Sequence, residues 1–378
     1  MKKIGIDARF YGPTGKGLGR YAQKLVEYLE MVDGGNKERQ YVVFLRKDNF
    51  DLYQPKHENF TKVLADFSWY SFAEQLGFPL FLYAQKLDLV HFCHFNVPLL
   101  YCKQFVVTIH DLILFHHPTV RNTTLNKYFY FLKLFAYRLA IRRAAKKARK
   151  IIAVSEFTRS DIVANLGVTK EQVEMTYEGC EYQCFLNSKC DDDVLTKYGI
   201  MKPYLLYVGN AYPHKNLERL VAVFSRLRNK NDKLQLVLVG GKDFFYENLE
   251  KFVFDGGYEG IIFPGYVPDR ELDVLYKRAE LYVFPSLYEG FGLPPLEALA
   301  KSTMVVSSCR TSMPEILQDA VSYFDPEDLD SMEKSILFAL ENKPPKKELP
   351  KKAIKVLAKF SWRKMAEETL DIYKKVLR

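Results

Sequence analysis

The chain has little cysteine and tryptophan: six cysteines and two tryptophans in 378 residues. Six cysteines in a chain this long cannot build a disulfide scaffold, so the sequence reads as a reduced, cytoplasmic protein. Cys180, Cys184 and Cys190 lack zinc-ligand spacing and a nearby histidine, so no metal is expected there. No uncharged apolar run approaches the roughly 20 residues that a membrane span requires. Met1 to Asp7 read as a short strand ending in an acid, not as a signal peptide. Disorder and low complexity are excluded by 48% apolar and 27% charged residues.

Acidic residues are missing from one segment. Residues 127–150 carry nine Lys and Arg and no Asp or Glu. Residues 1–190 hold 27 basic and 18 acidic side chains, and residues 191–378 hold 28 of each, so the net charge of +9 lies wholly in the first half. Such an imbalance points to an anionic partner for that half alone. The aromatic and aliphatic residues between the cations of 127–150 (Tyr128, Phe129, Phe131, Leu134, Phe135, Tyr137, Leu139, Ile141) read as the buried side of an amphipathic helix with a solvated basic face. The functional alternative is docking on anionic lipid. No nucleic-acid-binding module is present.

Short apolar runs alternate with helical patterns. Candidate strands span 3–7, 41–45, 89–92, 105–109, 151–154 and 173–176, then 204–208, 234–239, 261–263, 281–284, 304–306 and 322–324. Candidate helices span 20–29, 216–229, 270–278, 293–300 and 360–378. Uninterrupted apolar strands separated by helices predict parallel α/β structure with both sheet faces covered. A polar break at 183–200 predicts two domains: residues 1–185 joined by a final helix at 361–378, and residues 186–360.

Four segments carry chemistry. Gly12, Gly15, Gly17 and Gly19 lie between a strand and a helix, where backbone amides can approach an anion. The loop has neither the dinucleotide fingerprint nor a Gly-Lys-Ser/Thr P-loop. After the second half's first strand, Lys215 is placed to neutralise a phosphate, and Asn216 reads as an N-cap. Glu289, Gly290, Phe291, Gly292, Leu293 and Glu297 follow the strand at 281–284, with Pro294 and Pro295 suited to a first helical turn. His110 and Asp111 follow the strand at 105–109, where the histidine can act in catalysis and the acid can orient it or cap the next segment. Each segment also has a bland structural reading: a tight loop, a solvated lysine, capping acids, a core histidine.

Taken together and in this order, the segments resemble the retaining glycosyltransferases of family 4. The resemblance runs through Ile6-Asp7-Ala8-Arg9, Gly17-Leu18-Gly19-Arg20-Tyr21, Asn96-Val97-Pro98, Thr108-Ile109-His110-Asp111, Ala153-Val154-Ser155-Glu156, and the E-x7-E element at Glu289 and Glu297. It implies a GT-B fold, two Rossmann-like domains with a cleft between them and a C-terminal helix crossing back to the first.

The resemblance also implies residue roles. Lys215 would contact the donor diphosphate, with Gly17 close to it from the first domain. Glu289 would bind donor-sugar hydroxyls at the catalytic centre, and His110 would sit beside the anomeric carbon. Glu297 would hold the ribose and Val267 the base. Gly290, Phe291 and Gly292 would touch sugar and phosphate by their backbone, and Leu293 completes the donor-binding set. Two departures stand out: no arginine precedes Lys215, and the usual Asn-Gly after the strand at 173–176 is Glu178-Gly179.

The expected reaction is metal-independent transfer of a sugar, with retention, from a nucleotide-diphosphate sugar to a glycan or lipid-linked acceptor. GDP-mannose is the first candidate donor and a UDP-sugar the second. Surface-polysaccharide or glycolipid synthesis on the inner face of the membrane is the implied setting. A GT-B isomerase or epimerase that makes no transfer, and a membrane-binding scaffold, remain open alternatives at this stage. The sugar, acceptor, linkage and oligomeric state are not read from the sequence.

Overall fold

Strand and helix alternate from the first residues onward. The computed structural model describes residues 1–118, 127–180, 191–342 and 351–378. Within them, residues 1–116, 127–179 and 360–378 form one compact unit, and residues 117–118, 180, 191–342 and 351–359 form the other. The boundary expected at 185/186 falls in residues 181–190, outside the described residues, as do Cys184 and Cys190.

The first unit runs β1 (Lys2–Asp7), α1 (Lys16–Asp33), β2 (Arg39–Leu45), β3 (Phe60–Leu64), α2 (Phe72–Ala84), β4 (Leu89–Phe92), β5 (Phe105–Ile109), α3 (Ile113–His116), α4 (Lys127–Lys147), β6 (Lys150–Ala153), α5 (Glu156–Leu166) and β7 (Val173–Met175). Among the described residues its seven-stranded sheet has the order β3-β2-β1-β4-β5-β6-β7, and every pairing is parallel. All residues of β4 and β5 are buried, as the apolar runs predict for strands covered on both faces. The sequence reading has no counterpart for β3. Its Thr61 and Lys62 interrupt the apolar pattern, which an edge strand paired only with β2 tolerates.

The second unit runs α6 (Asp191–Lys197), β8 (Tyr204–Val208), α7 (Leu217–Arg228), β9 (Gln235–Val239), α8 (Phe244–Asp255), β10 (Ile261–Gly265), α9 (Asp269–Arg278), β11 (Leu281–Phe284), α10 (Leu293–Ala300), β12 (Val305–Ser308), α11 (Met313–Leu317), β13 (Ser322–Phe324), α12 (Leu329–Glu341) and α13 (Lys351–Leu357). Its six-stranded parallel sheet has the order β10-β9-β8-β11-β12-β13 among the described residues. In both sheets the strand order therefore reverses beside the first strand, and open α/β sheets bind ligands beyond the strand ends at that point.

The last helix, α14 (Trp362–Leu377), belongs to the first unit and packs on α1. It buries Trp362, Met365, Ala366, Leu370 and Tyr373. A polar chain runs beneath it. The Tyr373 hydroxyl lies 2.6 Å from His91 Nδ1, and His91 Nε2 lies 2.8 Å from the Thr108 hydroxyl, which is 2.9 Å from that of Tyr21. Burial, then the neighbouring His110, push His91 down to about 3, so its imidazole is neutral and the chain satisfies it without charge. Arg9 is also buried, with Asp7 Oδ1 at 2.7 Å from its Nε and Glu74 Oε1 at 2.8 Å from an Nη. Asn96 donates to the same Glu74 carboxylate, so this part of the resembling sequence serves the scaffold.

Helix α4 corrects the amphipathic reading. Tyr130, Leu134, Ile141, Ala144 and Ala145 face the core, but Phe131, Leu132, Phe135 and Leu139 are exposed among the cations. The side chains of Tyr128 and Phe129 lie outside the described residues. The outward face is therefore mixed apolar and basic, not simply solvated charge.

Candidate functional site

In the second unit, the loops after β8 and β11 lie on either side of the reversal in strand order. Lys215, from the first loop, reaches Glu289, from the second, with Nζ to Oε1 at 2.6 Å. Both side chains are mostly buried. The backbone joins the loops as well, since the Leu287 N–H donates to the His214 carbonyl at 2.7 Å. Burial, followed by Lys215 and His117, lowers His214 to about 2, so the ring beside the lysine is uncharged.

Asn216 occupies the N-cap position of α7, as the sequence suggests, but its side chain does not cap. It adopts the left-handed conformation at φ 63° and makes no capping bond. Its amide instead donates to the carbonyls of Pro285 and Pro326. The residue that reads as a helix start locks the β8 loop onto the β11 loop and so fixes Lys215.

The turn carrying Glu289 is held from β12's far end. The Glu289 N–H donates to the Thr311 hydroxyl at 3.0 Å, and the Ser312 hydroxyl donates to the Glu289 carbonyl at 3.0 Å. Gly292, at φ 93°, caps α10, and a Cβ there would lie 2.5 Å from the Met313 methyl. Leu293 opens the helix and Pro294 follows it in the first turn. Phe291 is buried in this turn beside Gly290. Glu297 lies on α10, where the Tyr276 hydroxyl of α9 donates to its Oε2 at 3.3 Å. Val267 is buried in the turn between β10 and α9. Tyr276, Thr311 and Ser312 went unnoticed in the sequence because they act only by reaching across to other segments.

The first unit gathers its candidates in the same way. Helix α1 starts at Lys16, four residues earlier than expected, so Gly17 and Gly19 stand in its first turn. A Cβ on Gly15 or Gly19 would lie 2.1 or 2.0 Å from the carbonyl oxygens of Phe10 and Gly12. Gly17 is exposed, and a Cβ there would meet nothing within 4 Å. His110 follows β5. Its Nδ1 lies 3.1 Å from Glu178 Oε1 and its Nε2 3.0 Å from the Cys93 carbonyl. Asp111 accepts from the Ile113 N–H, which is the capping role. Ser155 caps α5 through the Thr158 N–H. Glu178 was noted in the sequence only as a departure from the usual asparagine.

Among the described residues, no group of three or more His, Cys, Asp or Glu is placed to hold a metal ion. The Asp328-x-Asp330 pair is engaged otherwise: Asp328 caps α12, and Asp330 pairs with Arg226 at 2.7 Å. No helix of the described residues is long and apolar enough to cross a membrane.

Comparison with known proteins agrees with this architecture. Residues 196–356 match the family Glycosyl transferases group 1, and residues 15–183 match Glycosyltransferase Family 4. The chain is similar to O-antigen chain mannosyltransferase B of Escherichia coli, 31% identical over 280 residues that cover 72% of this chain and 70% of that protein. It is also similar to O-antigen chain mannosyltransferase RfbU of Salmonella typhimurium, at 26% identity with coverages of 73% and 71%. Sucrose-phosphate synthase from Thermosynechococcus elongatus has a similar structure, with a TM-score of 0.77 at 19% identity over 100% of this chain and 99% of that one. Anabaena Alr3699/HepE, solved in complex with UDP-glucose, gives 0.73 at 16% identity over 99% and 100%. Paired Rossmann-like sheets, both family matches and this degree of identity make the chain a member of the group 1, family 4 glycosyltransferases with the GT-B fold.

Proposed function

We propose that this glycosyltransferase moves a hexose, with mannose the first candidate, from a nucleoside-diphosphate sugar to a hydroxyl of a glycan or lipid-linked acceptor, with retention and without a divalent ion. The observation that carries the reading is the Lys215–Glu289 pair at the strand-order reversal of the second unit. Breaking a sugar–diphosphate bond requires stabilisation of charge on the leaving group. Lys215 supplies an ammonium, and the first turn of α10 in the same unit supplies backbone amides. Glu289, released from Lys215 when a diphosphate takes the ammonium, is then available to sugar hydroxyls. Glu297 on α10 would take the ribose and Val267 the base. The names of the mannosyltransferase relatives support mannose and surface-polysaccharide synthesis. GDP-mannose is therefore tested before UDP-sugars.

The acceptor proton passes to the departing diphosphate as the acceptor oxygen bonds to the anomeric carbon on the face the phosphate leaves. Donor turnover persists with a chelator present on this reading. Lys215→Ala and Glu297→Ala each lower kcat/KM at least about 100-fold, on the order of 3 kcal/mol of lost stabilisation. Normal turnover by both variants would overturn the site assignment. Formation of a rearranged nucleotide sugar without an acceptor would favour the isomerase instead.

An anionic bilayer is the proposed support for the acceptor. Exposed Phe131, Leu132, Phe135 and Leu139 lie among the cations of α4, and Phe72, Leu76 and Leu80 form an exposed stripe on α2. One loop ties the two helices: Phe95 contacts Tyr137, the Leu99 carbonyl accepts from Arg143, and the Leu100 carbonyl accepts from Tyr83. Apolar side chains with surrounding lysine and arginine match an interface of acyl chains and anionic headgroups.

A further inference from the structure

His110 has an acceptor on each ring nitrogen. The Cys93 carbonyl, 3.0 Å from Nε2, only accepts, so Nε2 carries a hydrogen. Glu178 Oε1 lies 3.1 Å from Nδ1, and an ionised carboxylate there can only accept. Two donated hydrogens make the ring an imidazolium. The neighbouring rings are uncharged. Tyr21 of α1 meets the ring edge-on at 4.6 Å, and burial keeps its hydroxyl protonated. His91 of β4 and His94 in the loop beyond it are both held down at about 3, by burial first and then by the charge of His110. The Cys93 thiol is pushed up by burial. From α5, the Thr158 hydroxyl donates to the His110 backbone carbonyl. Asp111, the next residue, is the second carboxylate nearby and accepts from the Ile113 N–H. Burial pulls His110 toward neutrality, but the hydrogen bond and charge of Glu178, with smaller help from the Cys93 carbonyl and Asp111, raise it overall.

We propose that Glu178 is a positioning residue that fixes His110 as a doubly protonated imidazolium, which keeps its positive charge through the transfer and does not act as a general base. This rests on the transferase reading above. In the transfer, the bond from the anomeric carbon to the diphosphate oxygen breaks and the bond from the acceptor oxygen to that carbon forms. The acceptor proton ends on the diphosphate, and His110 keeps both of its own. Glu178 stands where the family resemblance leads one to expect asparagine, which could align the ring but not hold its charge.

The sign of the pH dependence tests the proposal. In the full-length wild type, kcat for GDP-mannose or the UDP-sugar that turns over stays level through the neutral range. In Glu178→Gln, which keeps an acceptor but loses the charge, kcat falls as pH rises through neutrality and recovers in mild acid, with KM little changed. Nitrogen NMR of histidine-labelled protein reads the ring directly: both His110 nitrogens are protonated at neutral pH in the wild type, and one is bare in Glu178→Gln. A wild-type ring with one bare nitrogen at neutral pH overturns the proposal. So does a Glu178→Gln profile identical to wild type, or a rate that rises with deprotonation of His110. If Lys215→Ala and Glu297→Ala turn over normally, the transferase site assignment fails on its own, and the NMR result still decides the state of the ring.

Discussion

Of the three glycines Gly15, Gly17 and Gly19, Gly17 is the one whose missing side chain the protein's own packing does not require. Gly15 and Gly19 are pressed against backbone carbonyls, whereas space for a methyl is open at Gly17. In a helix, alanine is favoured over glycine by up to about 1 kcal/mol. Gly17→Ala is therefore expected to leave the melting temperature unchanged or raised. If a diphosphate lies against that turn, the methyl raises the donor KM about tenfold, equivalent to about 1.4 kcal/mol. Thermal unfolding with donor kinetics checks both halves, and an unchanged KM would remove Gly17 from the donor site. Gly19→Ala has the opposite signature, a loss of stability whatever the ligand.

At the scale of the element, α14 is the test case. Its amphipathic pattern is legible from residues 360–378, a little beyond the observed ends, but its polar anchor is not. Tyr373 meets His91, which lies 282 positions away in the sequence, and nothing local to either residue announces the other. Tyr373→Phe leaves a buried imidazole nitrogen without its partner and is expected to cost about 1–3 kcal/mol in urea unfolding at neutral pH. The same contact has a pH signature. His91 is neutral in the folded chain down to about pH 3, whereas an unperturbed histidine titrates near 6.5. Between those values the unfolded chain binds the extra proton, so stability is full above 6.5 and falls as the solution is acidified toward 3. His91→Asn is expected to remove up to about one proton from that slope. Helix α4 gives the opposite lesson. Its nine-cation segment was evident, but which aromatics point inward depends on the sheet beneath it.

At the scale of the whole molecule, the charge asymmetry of the halves becomes a prediction about where the enzyme works. Replacing Phe131, Leu132, Phe135 and Leu139 with serine is expected to abolish co-sedimentation with vesicles of mixed anionic and zwitterionic lipid. Turnover of the donor with a water-soluble acceptor should survive, because none of these side chains lies in the candidate donor site. Binding that persists in this variant, or that is equal on purely zwitterionic vesicles, would overturn the membrane reading. Wild-type binding should weaken with salt, as headgroup electrostatics require.

The sequence by itself determined the parallel α/β class, nearly every strand, the E-x7-E turn and the positions of Lys215 and His110. Buried parallel strands need continuous apolar runs, and tight turns need glycine and proline, so both leave local marks. The edge strand β3 and the start of α1 were blurred because polar or glycine residues weaken those marks. The tertiary structure alone decided what each polar group touches. Asn216 became a clasp between loops, Arg9 a buried counter-ion for Asp7 and Glu74, and Glu178 the partner of His110. Apart from Arg9 with its near neighbour Asp7, these contacts join residues many tens of positions apart, and a pattern that repeats every two or four residues holds no record of them.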